Sequence, residues 1–248
     1  KTYATAKGFL KLSDDLPQFL TEIFDQKEYE LFARFSNGNL VINKKGRDTP
    51  LYGFSLKIKN VNGQDANFPL VNFPLFPTNS PSVFLNFFRS VNTFLVTKRD
   101  NFLVSMLDVP SLIKNSVALF GSMFSVDLVK EILKFIPKRN DFFFSFPFEG
   151  IGCFRIGDYI MKIGLKPVRN LSGIRKKEKQ RDAINECISL QDLNFLLTVQ
   201  LCENLADQPV NDLMKKWKNA PEHILGTIVI PQESVLDSAN LEIENLNF

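Results

Sequence analysis

The chain has 248 residues, 30 basic against 27 acidic side chains for a net charge of +3, and 44% hydrophobic residues. That length and balance describe a folded chain with a full core, and exclude global disorder. A pI near 8.7 without a concentrated basic face also argues against a nucleic-acid binder.

Three cysteines, Cys153, Cys187 and Cys202, stand at no metal-ligand spacing, so free thiols and a cytoplasmic setting are expected. One histidine, His223, excludes most zinc sites and Ser-His-Asp triads, which need an imidazole placed among partners. Lys1 opens the chain with no cationic, apolar leader pattern, so the chain reads as a fragment or a processed product. The longest uncharged stretch, residues 66–88, carries Pro69, Pro74, Pro77 and Pro81. No transmembrane segment is expected, because lipid cannot satisfy the backbone groups that prolines free. Twenty-five phenylalanines against one tryptophan and four tyrosines predict a thick apolar core, or a pocket around a flat apolar ligand.

Strands come first. Tyr29, Leu31, Ala33 and Phe35 alternate with Glu30, Phe32, Arg34 and Ser36, the period of a strand, and Asn37-Gly38 marks its end. Residues 51–60 repeat the alternation up to a turn at Asn62-Gly63, and residues 67–76 give a third extended stretch that Pro69 and Pro74 push toward a sheet edge. Ser80 and Pro81 are the cap and first position of a helix carrying Val83, Phe84, Phe87, Phe88, Val91, Phe94 and Leu95 at helical spacing. Short helices around Pro110 follow. Another helix, from Ser125, places Leu128, Val129, Ile132, Leu133 and Ile136 on one stripe.

The second half returns to strands over residues 142–148 and 153–167. A basic link follows, with Arg169, Arg175, Lys176, Lys177, Lys179 and Arg181, read as a solvated loop ahead of a helix over 177–189. Strands over 193–202 and 223–231 complete the pattern, with Trp217 anchoring a short helix over 214–218. Strands, then helices, then strands predict an α+β domain on a curved antiparallel sheet.

The common catalytic motifs are missing: no Gly-rich phosphate loop, no nucleophile elbow, no Cys-x-x-Cys and no His-Glu-x-x-His. What the sequence holds instead is an ordered series of short segments. Ala6-Lys7-Gly8 is followed by Ala33-Arg34-Phe35-Ser36, Gly46-Arg47-Asp48, Gly53-Phe54-Ser55-Leu56-Lys57 and Asn72-Phe73-Pro74-Leu75-Phe76, then Pro81 and Phe84. This series resembles the haem-binding half of the catalase family over residues 1 to 90. Further on, Phe154-Arg155-Ile156-Gly157-Asp158, Lys166-Pro167, Ala220-Pro221 and Ile230-Pro231-Gln232 resemble a short bacterial catalase-related group.

The resemblance implies a single catalase-like domain over residues 1–248, an antiparallel eight-stranded barrel with inserted and flanking helices, stopping before the family's proximal ligand segment. It implies haem b as cofactor. Arg34 would pair with a haem propionate, Ser36 would stand on the distal side, and Phe76 and Phe84 would line the macrocycle. Arg34 and Ser36, two apart on one strand, can point into one cavity, and a guanidinium suits a carboxylate. For Arg34 an exposed salt bridge is the plain alternative, and for each Phe plain core packing.

The departures are as informative as the matches. Thr5 stands where the family has its distal histidine, and Thr2 where it has an arginine. Val71 occupies the catalytic asparagine's place, with Asn72 one residue away as a substitute. Arg155 and Tyr159 reproduce the spacing of the family's proximal tyrosine but fall in a strand segment, so Tyr159 reads as a sheet residue. Tyr3, Tyr29 and Tyr52 have no ligand context, and His223 reads as a solvated residue at a strand's entry. Moving a proton between peroxide oxygens is acid–base work, and a threonine hydroxyl is a poor base at neutral pH.

The expected activity is therefore that of a haem protein handling organic or fatty-acid hydroperoxides, or another apolar small molecule, in preference to hydrogen peroxide; Thr5 and Asn72 are the candidate catalytic residues. The rival expectation is a degenerate catalase fold without haem chemistry, acting as a binding or interaction protein. A third is an apolar cavity holding a lipid without iron. An oligomer is compatible with the resemblance.

Overall fold

The structure of the chain, a computed structural model, describes residues 2–38, 50–100, 102–122, 125–138, 141–169, 171 and 180–236. The Gly46-Arg47-Asp48 segment, Arg175, Lys176, Lys177 and Lys179 lie outside the described residues. In chain order the elements are β1 (Thr2–Leu12), α1 (Gln18–Thr21), β2 (Glu28–Asn37), β3 (Tyr52–Val61) and β4 (Gln64–Val71). Then come α2 (Pro81–Asp100), α3 (Phe102–Ser105), α4 (Val109–Ser122), α5 (Val126–Phe135), β5 (Phe148–Glu149), β6 (Phe154–Ile156), β7 (Tyr159–Pro167), α6 (Gln180–Leu190), β8 (Leu193–Leu201) and β9 (Glu222–Ile230). They divide into two units: one of Lys1–Pro74, Pro137–Glu203 and Asn219–Phe248, the other of Leu75–Ile136 and Asn204–Lys218.

All strand pairings in the first unit are antiparallel, in the order β5-β4-β3-β2-β1-β9-β8-β7-β6. The sheet closes on itself. Val71 at the end of β4 pairs with Glu149, and Phe148 and Glu149 pair with Leu165 and Gly164 of β7. Eight strands thus form a closed barrel, and β6 shares the edge of β7 with β5. The expected eight-stranded antiparallel barrel with inserted helices is what the chain forms.

Local sequence explains most of these elements. Asn62 and Gly63 both take left-handed backbone angles, φ 49° and 81°, as a two-residue hairpin between right-twisted strands requires. Pro69 falls within β4, whose far edge pairs only at Val71, so the N–H that proline lacks is not needed there. The stretch expected over 67–76 accordingly begins and ends earlier, at Gln64 and Val71.

The interior is filled by phenylalanine. Phe35 stands edge-to-face against Phe54, Phe143 and Phe144, with centroids 4.9, 5.7 and 5.1 Å away, and Phe54 meets Phe148 and Phe195 at 5.3 and 5.2 Å. Of residues 142–148, whose apolar run suggests a strand, only Phe148 enters one, β5. Phe143–Ser145 is a 3₁₀ turn, and Phe142, Phe143 and Phe144 are all fully buried. A strand would have turned one of the three outward.

The second unit holds α2 to α5. Ser80 caps α2 by accepting from the Val83 N–H at 3.4 Å, and Ser125 caps α5 by accepting from the Leu128 N–H at 3.4 Å. The stripe expected to be the packed face of α5 is only partly so: Leu128 is buried, whereas Val129, Leu133 and Ile136 are exposed. Residues 214–218 form no helix. Trp217 is fixed there by its indole N–H, which donates to the Pro209 carbonyl at 3.0 Å.

Candidate functional site

Register decides which side chains meet. Residues directly opposite in antiparallel strands share a face. Ala6, Ala33, Leu56 and Phe68 form one rung across β1 to β4, all turned into the barrel and buried. The neighbouring rung, Thr5, Arg34, Ser55 and Pro69, therefore lies on the outer face. The next outer rung holds Thr2, Ser36, Gly53 and Val71.

Strict alternation would put Thr2 and Thr5, three residues apart, on opposite faces. A β-bulge between Thr2 and Ala4 adds one residue, and both threonines come to the outer side. The residue absorbed by the bulge is Tyr3. It is buried in the barrel against Tyr52 and Phe143, at 6.5 and 6.2 Å, and its hydroxyl accepts from Asn37 Nδ2 at 2.9 Å.

Two polar rungs thus bring together four residues singled out in the sequence: Thr2, Thr5, Arg34 and Ser36. Thr5 is only 3% exposed. On the edge of β1 away from Arg34, the Thr5 carbonyl accepts from the Leu236 N–H at 2.8 Å and the Lys7 N–H donates to the Ser234 carbonyl at 3.1 Å. Burial lowers the Arg34 guanidinium from its ordinary value through desolvation, and a partly desolvated cation attracts a carboxylate more strongly than a solvated one. Ser36 Oγ donates to the Gly53 carbonyl at 3.3 Å. A Cβ at Gly53 would stand 2.7 Å from that oxygen, so glycine is what leaves room for the hydroxyl. Ser55, buried beside Arg34, completes the rung; cross-strand register, invisible in a linear sequence, is the signal that locates it.

Asn72 is placed differently. It is 6% exposed, and both ends of its carboxamide are engaged with backbone. Oδ1 accepts from the Tyr52 N–H at 2.8 Å and Nδ2 donates to the Pro50 carbonyl at 2.9 Å, while its own N–H donates to the Tyr52 carbonyl at 3.1 Å. It clamps the start of β3 to the end of β4. The position in the outer rung itself belongs to Val71.

Phe76 and Phe84 belong to the second unit, where they pack together at 4.5 Å, and Phe84 stacks on Phe88 at 5.4 Å. Both rings are half-buried. Tyr159 opens β7 and His223 lies in β9; both rings pack on Phe19, at 5.1 and 6.4 Å. Neither stands in the two rungs. Among the described residues no group of three or more His, Cys, Asp or Glu could hold a metal ion.

A closed eight-stranded barrel with helices inserted after β4 is the observation that aligns this chain with known structures. The fold is that of the catalases. The barrel and helices match a fungal catalase with a TM-score of 0.60 and 18% identity over 92% of this chain. They match catalase A from Saccharomyces cerevisiae at 0.62 and 18% over 92%, and a bacterial catalase at 0.56 and 14% over 94%. This chain spans about half the length of each, 48%, 50% and 48%. No protein-family model and no curated protein sequence matches it. In this barrel, the two outer rungs hold Thr2, Thr5, Arg34 and Ser36 of the residues singled out in the sequence, while Asn72, Phe76 and Phe84 stand outside them.

Proposed function

We propose that this catalase-like chain belongs to a haem protein that acts on organic or fatty-acid hydroperoxides. The observation that carries the reading is the pair of outer rungs, in which a half-buried guanidinium stands directly opposite a buried threonine. The residues fit part of the group. Arg34 offers a cation for a propionate, and Thr2, Thr5 and Ser36 offer hydroxyls on the same face; no axial iron ligand is assigned to any described residue.

A bound haem would supply the redox chemistry of O–O cleavage. The chain's own part follows from its side chains. Arg34 holds and orients a carboxylate. The Thr5 hydroxyl can donate a hydrogen bond to a peroxide oxygen, but at neutral pH it does not take up a proton as an imidazole does. Asn72 keeps the strand ends beneath the rung in register. A site of that kind favours a substrate that needs orientation more than a proton shuttle, and a bulky apolar hydroperoxide meets that description better than hydrogen peroxide. Turnover of a fatty-acid hydroperoxide and of hydrogen peroxide by the haem-loaded protein tests the reading. The lipid substrate is expected to be faster, and faster use of hydrogen peroxide would overturn it.

A second reading has its own support. Neither rung contains histidine or tyrosine, as expected of a catalase-like barrel that has given up haem chemistry and serves as a binding protein. Absence of saturable haem binding would decide for it.

A further inference from the structure

We propose that the helical unit docks on an anionic lipid bilayer through the outer side of α3 and α4. The argument does not rest on the haem reading. Residues Leu103–Ser122 are apolar enough by length and composition to cross a membrane, with a mean hydropathy of 1.3, yet little of the segment is buried. Most of its large apolar residues face outward, the wrong side for a helix in water. Leu103 of α3, Leu107 of the 3₁₀ turn Met106–Asp108 that follows it, and Ile113, Val117 and Phe120 at helical spacing on α4 are 58% to 79% exposed.

The packed side is mixed instead. Leu119 is buried and Leu112 half-buried, beside Asn115 and Ser116. A polar seam ties α4 to α2: Asn115 Nδ2 donates to Ser90 Oγ at 2.6 Å, Ser90 and Ser111 share a hydrogen bond at 3.2 Å, and Ser90 donates to the Asn86 carbonyl at 3.0 Å. Small polar residues between helices and large apolar ones outside is the arrangement of helices in contact with lipid. α5 repeats the theme, because Val126, Val129 and Leu133 of its broad apolar arc are exposed.

Charge identifies the kind of bilayer. Among the described side chains from Pro81 to Ile136, every exposed charged residue is basic: Arg89, Lys98, Lys114, Lys130 and Lys134. The acids Asp108, Asp127 and Glu131 are only partly exposed, and Glu131 is paired with Lys134 and Lys216. Lys114 stands on α4 with the exposed apolar residues and Lys130 on α5 with its own, and lysine among exposed apolar side chains is what holds a helix in the plane of an anionic interface. Lys114, Asp108 and the polar seam favour lying on the surface over crossing it.

Flotation of the 248-residue chain with vesicles tests this directly, using phosphatidylcholine alone and phosphatidylcholine with about one quarter phosphatidylglycerol. The chain is expected to float with the anionic vesicles and about tenfold less with the neutral ones. Leu107→Glu/Phe120→Glu, both at exposed sites, should abolish flotation with an unchanged circular dichroism spectrum. Lys114→Gln/Lys130→Gln/Lys134→Gln, which keeps the apolar stripe, should remove the preference for anionic lipid. A wild-type chain that stays at the bottom with both vesicles would overturn the proposal. So would a stable dimer in sedimentation velocity that the Glu variant dissociates, since that result gives the stripe to a second copy.

Discussion

Replacing Asn72 by alanine separates a structural clamp from a catalytic group. The carboxamide satisfies the Tyr52 N–H at 2.8 Å and the Pro50 carbonyl at 2.9 Å in a site that is 6% exposed. Alanine leaves both backbone groups without that partner, and an unsatisfied buried polar group costs about 1–3 kcal/mol. Partial access of water to the Pro50 side brings the expected total to about 2–4 kcal/mol. For a chain of this size each kcal/mol moves the melting midpoint by about 2–4 °C, so the variant should melt roughly 4–16 °C below the wild type. Thermal melts followed by circular dichroism at 222 nm read the difference. The ligand-free protein suffices, because the clamp acts on the barrel alone. A midpoint within about 1 °C of wild type would refute the clamp and return Asn72 to the catalytic candidates.

Three further outcomes follow from the same geometry. Phe54→Ala removes a fully buried ring that touches Phe35, Phe148 and Phe195; the loss should be about 3–5 kcal/mol by urea unfolding, with Phe54→Leu well below it. Asp65 is held below its ordinary value of 3.8, first by the hydrogen bond from Lys59 at 2.6 Å. A lowered carboxylate stabilises the fold above that ordinary value, and the contribution is lost as pH falls through the lower folded-state value. The pair is partly solvated, so Asp65→Asn should cost only about 0.5 kcal/mol at pH 7 and less at pH 2, measured by urea unfolding at both. Thr5→His in the haem-loaded protein should raise hydrogen peroxide turnover relative to fatty-acid hydroperoxide turnover, by about tenfold or more, since it restores a group able to carry a proton; an unchanged ratio would place Thr5 away from the peroxide.

The barrel was legible because its strands carry their pairing in period-two alternation and in turn chemistry. Residues 29–36 and Asn62-Gly63 are the clearest cases. Legibility failed where tertiary context overrides local pattern. Phe142, Phe143 and Phe144 look like a strand but enter a 3₁₀ turn, which lets all three rings be buried where a strand would alternate them. The α5 stripe has the period of a buried face, yet only Leu128 is buried, since periodicity reports an apolar arc and not what covers it. Of the site, Arg34 and Ser36 could be paired from spacing alone. Thr2 and Thr5 could not be placed on one face without the bulge at Tyr3, which no composition signal announces. Asn72 and Val71 were a one-residue ambiguity in the sequence; register and the hydrogen bonds to Tyr52 and Pro50 separate them.

The most direct test of the account is a haem titration of the 248-residue chain beside Arg34→Gln, followed by the Soret band. The account predicts saturable binding near one haem per chain, weakened about tenfold or more in the variant as the charged contact to the propionate is lost. Binding that does not saturate, or that is identical in the two proteins, would contradict it and leave a catalase fold put to another use.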